Sequence, residues 1–266
     1  MSTRTKRVTA LTIAGSDPGG GAGVQADIKT FAALKVHGYS AITAVIAQNS
    51  SSVKNVAPVA PAMVVAQIEA VAAECRPGAI KTGVLGNGAI VRAVARAVIS
   101  MRLPRPVVDP VLVSTSGARL LDRYGERAIC NHLIPITHLL TPNISEAESL
   151  TLIQIDSKAA LREAARELVA MGAQAAVIKG GHGGGGESID LLYDGSNYVE
   201  LKSRRIPGTG AHGTGCAFSA AIAAYLARGL ELEDAVRAAK RYVTNALAGS
   251  FRLGSGRPIL DHFCRA

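Results

Sequence analysis

Short apolar runs alternate along most of the chain with segments in which apolar residues recur every three or four positions. Six runs have strand length and are almost wholly apolar, as in parallel strands covered on both faces; they are 8–14, 40–47, 79–82, 107–111, 138–141 and 175–179. The helical stripes between them include 24–34, 90–98 and 161–169. This alternation predicts repeated βα units and an α/β fold.

The pattern changes after residue 179. Two apolar runs, 189–193 and 198–201, flank the turn residues 194–197, which predicts an antiparallel hairpin. Helical stripes at 213–228 and 233–248 close the chain. Since no linker or internal repeat interrupts it, we predict one domain over residues 1–266, with a mostly parallel central sheet, helices on both faces and one small antiparallel hairpin.

Composition narrows the classes of partner. The chain has 266 residues, of which 48% are hydrophobic, 18% charged and 4% aromatic, so it can bury a sizeable core and is not a disordered polymer. A net charge of +9 suits nucleic acid or a phosphorylated small molecule, but the arginines are scattered and tryptophan is absent. We therefore expect a small-molecule ligand and no nucleic acid.

Two further absences bear on location and cysteine chemistry. No run approaches the roughly 20 apolar residues that span a bilayer, and the basic start at 1–7 lacks the features of a secretory signal. We expect no membrane contact and a cytoplasmic protein. The four cysteines are widely separated, which favours neither a zinc site nor disulfides.

A glycine-rich segment, 15–23, joins the first predicted strand to the first helix. It matches neither the dinucleotide-binding motif nor the P-loop motif. Either it is a flexible connection, or its missing side chains let the backbone close over a small ligand, with Asp27 one turn into the helix to hydrogen-bond that ligand. The residues alone leave both readings open.

A second glycine cluster, 212–216, stands immediately before an apolar helix and ends in Cys216. The backbone N–H groups of Gly213, Thr214 and Gly215 would converge at the helix start and form an anion site with the helix dipole. We expect the same positive end to depress the pKa of Cys216, which could then accept a proton from a substrate hydroxyl. The alternative is a buried structural cysteine.

Polar residues also follow other predicted strands. Asp109, Asn143 and Glu146 offer the carboxylate and amide oxygens that Mg²⁺ prefers near a phosphate, held directly or through water. Helix capping by Asn143 and a first-turn acid at Glu146 are the simpler alternatives. Lys179 ends a strand, and we expect it to emerge beside the phosphates.

Eight segments spread over nearly the whole chain carry a family resemblance: 14–18, 20–27, 47–49, 81–85, 109–111, 141–143, 179–182 and 212–216. Together they resemble the hydroxymethylpyrimidine/phosphomethylpyrimidine kinases of thiamine biosynthesis, members of the ribokinase-like superfamily. The resemblance implies a ribokinase-like kinase domain that phosphorylates 4-amino-5-hydroxymethyl-2-methylpyrimidine to its monophosphate and on to the diphosphate. It also implies ATP and Mg²⁺ as cofactors, and a homodimer.

The resemblance implies roles for individual residues as well. Gln48 hydrogen-bonds the aminopyrimidine, and its assisting residues are Gly15, Ala22, Asp27, Ile46 and Val84. The segment 213–216 forms the anion hole, with Cys216 in the place of the aspartate base found in most of the superfamily, while Lys179 and Glu146 serve ATP and Mg²⁺. Thr115 stands where the family commonly has a lysine.

A pyridoxal or pyridoxine kinase of the same superfamily is the alternative, because a substituted pyridine carries a similar hydroxymethyl group beside a ring nitrogen. Gln48, within 47–49, favours the pyrimidine.

Overall fold

The computed structural model describes residues 7–49, 51–114, 117–180, 186–206 and 210–264. The strands of these residues form one nine-stranded sheet in the order β3-β2-β1-β4-β5-β6-β7-β8-β9. Their bounds are β1 (Thr9–Ser16), β2 (His37–Gln48), β3 (Val53–Pro58), β4 (Ala79–Thr82), β5 (Val107–Val108), β6 (Leu139–Leu140), β7 (Ala175–Ile178), β8 (Glu187–Tyr193) and β9 (Tyr198–Arg204).

Eight α-helices accompany the sheet in the described ranges. They are α1 (Gly23–Ala33), α2 (Pro61–Glu74), α3 (Gly88–Ser100), α4 (Arg123–Ala128), α5 (Ile144–Thr151), α6 (Lys158–Ala170), α7 (Thr214–Ala227) and α8 (Leu232–Ala248). A π-helical turn, Ile129–Leu133, and a 3₁₀ turn, Ile134–Ile136, follow α4. β5 and β6 are shorter than predicted, since Pro110 and Pro142 follow closely and lack the N–H that would continue a ladder.

The sheet is parallel through its centre and antiparallel at both edges. β2, β1, β4, β5, β6 and β7 pair in parallel. β8 and β9 extend one edge as the predicted hairpin. The opposite edge carries β3, which pairs antiparallel with β2 and which the sequence pattern does not predict. Its residues are largely exposed and include Lys54 and Asn55, so they lack the apolar signal of a central strand.

Helices cover both faces of the sheet, because alternate strand residues point to two different cores. Leu11 and Ile13 of β1 pack on one face with α2, α3 and α6, whereas Ala10 packs on the other face with α1, α7 and α8. α7 is buried almost all round and contacts both α1 and α8. These features confirm the predicted fold class, and the single domain over residues 1–266 stays a prediction.

The chain reverses its progress across the sheet at β1. β2 lies on one side of β1 and β4 on the other. Open α/β sheets bind their ligands beyond the carboxyl ends of the strands at such a reversal, because the diverging connections leave a crevice there. The glycine-rich segment follows β1, and Gly83 and Val84 follow β4, so both border this crevice.

A buried ion pair ties α8 to the edge of the sheet. Nζ of Lys240 lies 2.6 Å from Oδ2 of Asp190 in β8, and the two side chains are 8% and 9% exposed. The other carboxylate oxygen of Asp190 accepts the amide hydrogen of Gly180, with an N···O distance of 3.0 Å. Asp190 therefore holds the chain in place just beyond the end of β7, next to Lys179.

We expect Lys240→Ala to lower the free energy of unfolding by about 3–5 kcal/mol, because it leaves the Asp190 carboxylate buried and unpaired. Arg237→Ala is the matched control on the same helix, since its ion pair with Glu233 is exposed and such pairs contribute less than about 1 kcal/mol. Urea unfolding of both variants measures the difference. Equal losses would contradict the argument from burial.

Candidate active site

Asp17 shapes the glycine-rich loop after β1. Its carboxylate accepts the amide hydrogens of Gly19, Gly21 and Ala22, with N···O distances of 2.9, 3.2 and 2.8 Å. The Asp17 side chain is 1% exposed. Three hydrogen bonds from backbone amides to one buried carboxylate define the path of the loop. The segment is therefore an ordered turn and not a flexible connection.

The same carboxylate joins this loop to the second glycine cluster. Nε2 of His212 lies 3.1 Å from Oδ2 of Asp17, and Gly21 packs against the His212 ring and Ile259. Burial alone would raise the pKa of Asp17, but hydrogen bonds from His212, the Gln48 side chain and the loop amides hold it below its ordinary value. Two loops that are distant in sequence are thereby held together.

A small apolar wall lies beside the loop. Ile46 and Val84 are buried and cluster with Ala44 and Leu120. A Cβ on Gly15 would lie 3.0 Å from Cδ1 of Ile46 and 3.5 Å from Cβ of Val84. The structure therefore brings Gly15, Ile46 and Val84 together, as the sequence analysis expects for a ring-binding surface.

Gln48 and Ala22 border the same region. Gln48 ends β2, is partly buried and lies close enough to Asp17 to lower the pKa of its carboxyl group. Ala22 is the N-cap residue of α1, and its backbone N–H donates a hydrogen bond to the Asp17 carboxylate. A polar amide at the rim of an apolar wall suits a flat ring that has hydrogen-bonding groups on its edge.

Asp27 is placed beneath this region, with no exposed surface. Its Oδ2 accepts the hydroxyl hydrogen of Thr12 at 2.6 Å and lies 2.8 Å from Nζ of Lys81, which also contacts Oδ1 at 3.0 Å. Burial alone would lower the pKa of Lys81, but Asp27 holds it above its ordinary value. Asp27 therefore neutralises Lys81 in this structure. To hydrogen-bond a ligand directly, as the sequence predicts, Asp27 would have to give up one of its contacts with Thr12 or Lys81.

Lys179 and Asp109 meet at the start of α7. Nζ of Lys179 lies 2.9 Å from Oδ1 of Asp109, and a Cβ on Gly215 would lie 3.3 Å from the same Nζ. Gly213 is the N-cap residue with a φ of 84°, in the left-handed region that favours glycine. The Thr214 hydroxyl donates to the carbonyl oxygen of Ala211.

Because the first backbone N–H groups of an α-helix have no partner within the helix, they and Lys179 form a positive point that suits a phosphate. Burial alone would lower the pKa of Lys179, but Asp109 and Glu146 keep it above its ordinary value, so the lysine is charged. Lys179 therefore lies beside the start of α7, and its predicted position beside the phosphates stays a prediction.

Asn143 and Glu146 cap α5. The backbone N–H of Asn143 donates to Oε2 of Glu146 at 2.8 Å, and the backbone N–H of Glu146 donates to Oδ1 of Asn143 at 2.9 Å. Burial raises the pKa of Glu146 to about 7, with Lys179 lowering it and Asp109 raising it. The simpler capping alternative therefore describes these residues, while Glu146 and Asp109 still lie near one another.

The described ranges contain no group of three histidine, cysteine, aspartate or glutamate side chains that could hold a metal ion. Glu146 and Asp109 fit Mg²⁺ only as part of a set completed by phosphate oxygens and water, which is the usual way in which this ion is held. The metal role of Asp109, Asn143 and Glu146 stays a prediction.

Cys216 lies in the first turn of α7 and is partly buried. The expectation of a depressed pKa is wrong for this thiol, because burial raises its pKa to about 11. Lys81 opposes this change, whereas Asp109 and Asp27 add to it. Desolvation and two carboxylates outweigh the helix dipole, so the thiol is protonated at neutral pH.

Asp17, Lys81 and His212 have no predicted role of their own, although all three organise this region. A lysine inside the apolar run 79–82 signals a buried ion pair, and an aspartate two residues before a glycine signals a side chain that bonds its own loop. Thr115 and the segments 181–182 and 207–209 lie outside the described residues.

A positive helix start beside an apolar wall, at the switch point of an open α/β sheet, suits a protein that binds a phosphate group next to a small molecule, as a phosphotransferase does. In the part of the chain that the structure describes, no helix is long and apolar enough to cross a membrane. The model of the phosphomethylpyrimidine kinase family matches residues 17–261, and the chain belongs to that family.

Three relatives illustrate the match. A hydroxymethylpyrimidine/phosphomethylpyrimidine kinase of Synechococcus elongatus is 46% identical over 96% of this chain and 97% of its own length. The thiamine biosynthesis bifunctional protein ThiED of Geobacter sulfurreducens is 43% identical over 98% of this chain, which spans only 53% of that protein. The solved Bacillus subtilis pyridoxal kinase in complex with ADP superposes with a TM-score of 0.90 at 35% identity, covering 97% of this chain and 98% of the other.

We expect Gly215→Val to lower kcat about 10²- to 10³-fold while leaving the melting temperature close to that of the parent. The new side chain would crowd the movable end of Lys179 at the phosphate-binding point, with its Cβ 3.3 Å from Nζ of Lys179 and 3.7 Å from Oδ2 of Asp109. Paired measurements of kcat and thermal unfolding check this expectation.

Gly213→Val is the matched comparison and should lose stability as well, by at least about 1–2 kcal/mol, because of its positive φ and because the carbonyl oxygen of Gly21 occupies the place of the Cβ. A fully active Gly215→Val enzyme would contradict the anion site.

Proposed function

We propose that this chain transfers the γ-phosphoryl group of ATP to the hydroxymethyl group of 4-amino-5-hydroxymethyl-2-methylpyrimidine, and then a second phosphoryl group to the monophosphate. The observation that carries this proposal is the convergence of Lys179, Asp109 and Gly215 at the start of α7, close to Cys216. Family membership and the kinases among the relatives support the same reaction.

Recognition of the ring falls to the apolar wall and its polar rim. Ile46 and Val84 would pack on the ring face, and Gly15 would let the ring approach the backbone. Gln48, at the end of β2 beside Asp17, would hydrogen-bond the ring edge. An amide has both a donor and an acceptor, which matches an aminopyrimidine edge in which an amino group lies next to a ring nitrogen.

The nucleotide phosphates would bind where Lys179 and the backbone N–H groups of Gly213, Thr214 and Gly215 meet. Asp109 and Glu146 would orient Mg²⁺ through water, with Asn143 holding Glu146 by the capping bonds. When bound, Mg²⁺ neutralises the charge that develops on the phosphate oxygens. Lys179 does the same from the protein side, because its amine is charged and positioned by Asp109.

Cys216 would accept the proton of the attacking alcohol. Because its thiol pKa is about 11, few molecules hold a thiolate at neutral pH, and the alcohol step should accelerate as pH rises. In the second step the attacking oxygen belongs to a phosphate that is already negative. That step needs charge neutralisation and no base.

A pyridoxal kinase is the second candidate, because the Bacillus subtilis pyridoxal kinase superposes closely on the whole chain. The site residues that separate the two candidates are those at the ring edge, above all Gln48. The homodimer and the cytoplasmic location implied by the family resemblance complete the proposal.

An assay of parent and Cys216→Ala with Mg·ATP at pH 7 and pH 9 tests these assignments. Its substrates are the pyrimidine alcohol, its monophosphate, pyridoxine and pyridoxal, with products identified by mass. We expect the parent to phosphorylate both pyrimidines. The rate of the alcohol step should rise by up to roughly tenfold per pH unit, because a larger fraction of the thiol is ionised. Cys216→Ala should slow the alcohol step about 10²- to 10⁴-fold, remove its rise with pH and spare the monophosphate step.

Rapid turnover of pyridoxal with neither pyrimidine phosphorylated would replace the proposal by the second candidate. Equal slowing of both pyrimidine steps by Cys216→Ala would reassign the thiol to the geometry of the helix start. Cys216→Ser controls for side-chain size, and we expect no rescue, because a hydroxyl ionises even less readily than this thiol.

A further inference from the structure

One oxygen of the Asp17 carboxylate joins the two glycine-rich loops of the candidate active site. Oδ2 accepts the backbone N–H groups of Gly21 and Ala22, in the loop after β1, and lies 3.1 Å from Nε2 of His212. Burial opposes the ionisation of Asp17, but its hydrogen bonds outweigh burial and hold its pKa below the ordinary value. An ionised carboxylate only accepts hydrogen bonds, so Nε2 of His212 carries a proton and is the donor.

His212 stands at the junction of the two loops. Its side chain is 11% exposed, and its ring lies against Gly21, where a Cβ would come within 2.9 Å of Cδ2 of the ring. Its backbone N–H donates to the carbonyl oxygen of Pro258 at 2.9 Å, on the segment that follows α8. The residue is therefore held both by its ring and by its backbone.

The start of α7 follows His212 directly. Gly213 is the N-cap residue of this helix, and the carbonyl oxygen of Gly21 fills the place that a Cβ of Gly213 would occupy, so the backbones of the two loops are in contact. Burial raises the pKa of the Cys216 thiol to about 11, and the backbone of Gly23, where the first loop ends, lies close enough to lower it. A shift of His212 would therefore move the helix start relative to the loop that borders the ring region.

The other parts of the site belong to different strands and do not contact His212. Ile46 of the apolar wall lies in β2 and Val84 follows β4, whereas Asp109 follows β5 and Lys179 follows β7. Phosphoryl transfer requires the attacking oxygen in line with the phosphate, and a misplacement of about 1 Å can lower a rate about 10²-fold. A bond that joins the two halves of the site therefore affects the rate of transfer more than the binding of either substrate.

We propose that His212 is a positioning residue for phosphoryl transfer, which fixes the start of α7 relative to the ring region through its hydrogen bond to Asp17. This inference rests on the proposed function, because the ring region and the helix start receive the two substrates of that reaction. His212 acts through Asp17 and Gly213 and not through a contact with either substrate.

The variants His212→Gln and His212→Asn test this role, because both side chains carry an amide but differ in reach. The amide nitrogen of glutamine lies about as far from the backbone as Nε2 of histidine, whereas that of asparagine is one bond nearer and falls short of Asp17. We expect His212→Asn to lower kcat for the pyrimidine alcohol about 10- to 100-fold, with KM for the alcohol and for ATP within about threefold of the parent. His212→Gln should keep kcat within about fivefold of the parent, because the donor is retained.

His132→Asn is the matched control, since it makes the same change at an exposed histidine outside the candidate active site, and it should leave all three constants unchanged. Thermal unfolding verifies that the three variants fold. Equal kcat values for His212→Asn and His212→Gln would overturn the proposal, because reach to Asp17 would then have no effect. A rise in one KM with kcat unchanged would overturn it too, because His212 would then bind that substrate.

If the parent phosphorylates neither pyrimidine, the proposed function fails, and hydrogen exchange followed by mass spectrometry still decides the positioning role. The backbone amides at the start of α7 should then exchange at least about threefold faster in His212→Asn than in His212→Gln, because the helix start is held less firmly. Equal exchange in the two variants would overturn the inference.

Discussion

Three lysines at or near the carboxyl end of the sheet are each paired with one aspartate; Lys81 and Lys240 are buried, and Lys179 is 18% exposed. The pairs are Lys81 with Asp27, Lys179 with Asp109, and Lys240 with Asp190. A buried charge is costly unless it is paired, so each pair fixes the relative position of the elements that carry it. Together they join α1 to β4, the end of β5 to the end of β7, and α8 to β8, and the loops of the site are built on this frame.

Burial controls the ionisation of Cys216, and the same charged pairs modify it. The thiol has the positive start of α7 beneath it, yet its neighbours Asp109 and Asp27 are the carboxylates that neutralise the lysines. Burial removes the water that would stabilise a thiolate, and Lys81, whose charge is paired with Asp27, lowers the pKa of the thiol too little to offset this. The helix dipole alone is too weak to decide the ionisation of a group in such a setting.

Much of the fold follows from the sequence because its central strands are short apolar runs between amphipathic helices. The sequence does not predict β3, because an exposed edge strand has no buried face and therefore no run of apolar residues. The site is predicted in its parts, because glycines and polar residues stand at strand ends. What the sequence leaves open is which charges meet: the contact of Asp27 with Lys81 joins residues 54 positions apart, and Asp17 reaches His212 across 195. Such pairings decide burial and pKa, and local patterns do not contain them.

The most direct test of this account is the ionisation of Cys216 in the parent enzyme. Its rate of alkylation by iodoacetamide is followed between pH 6 and pH 9.5, with mass spectrometry of the peptides separating it from Cys75, Cys130 and Cys264. With a pKa of about 11 the rate should rise about tenfold per pH unit over the whole range without a plateau. A plateau reached near pH 7 would show a thiolate already formed at neutral pH, and would contradict the conclusion that burial and the paired carboxylates govern this site.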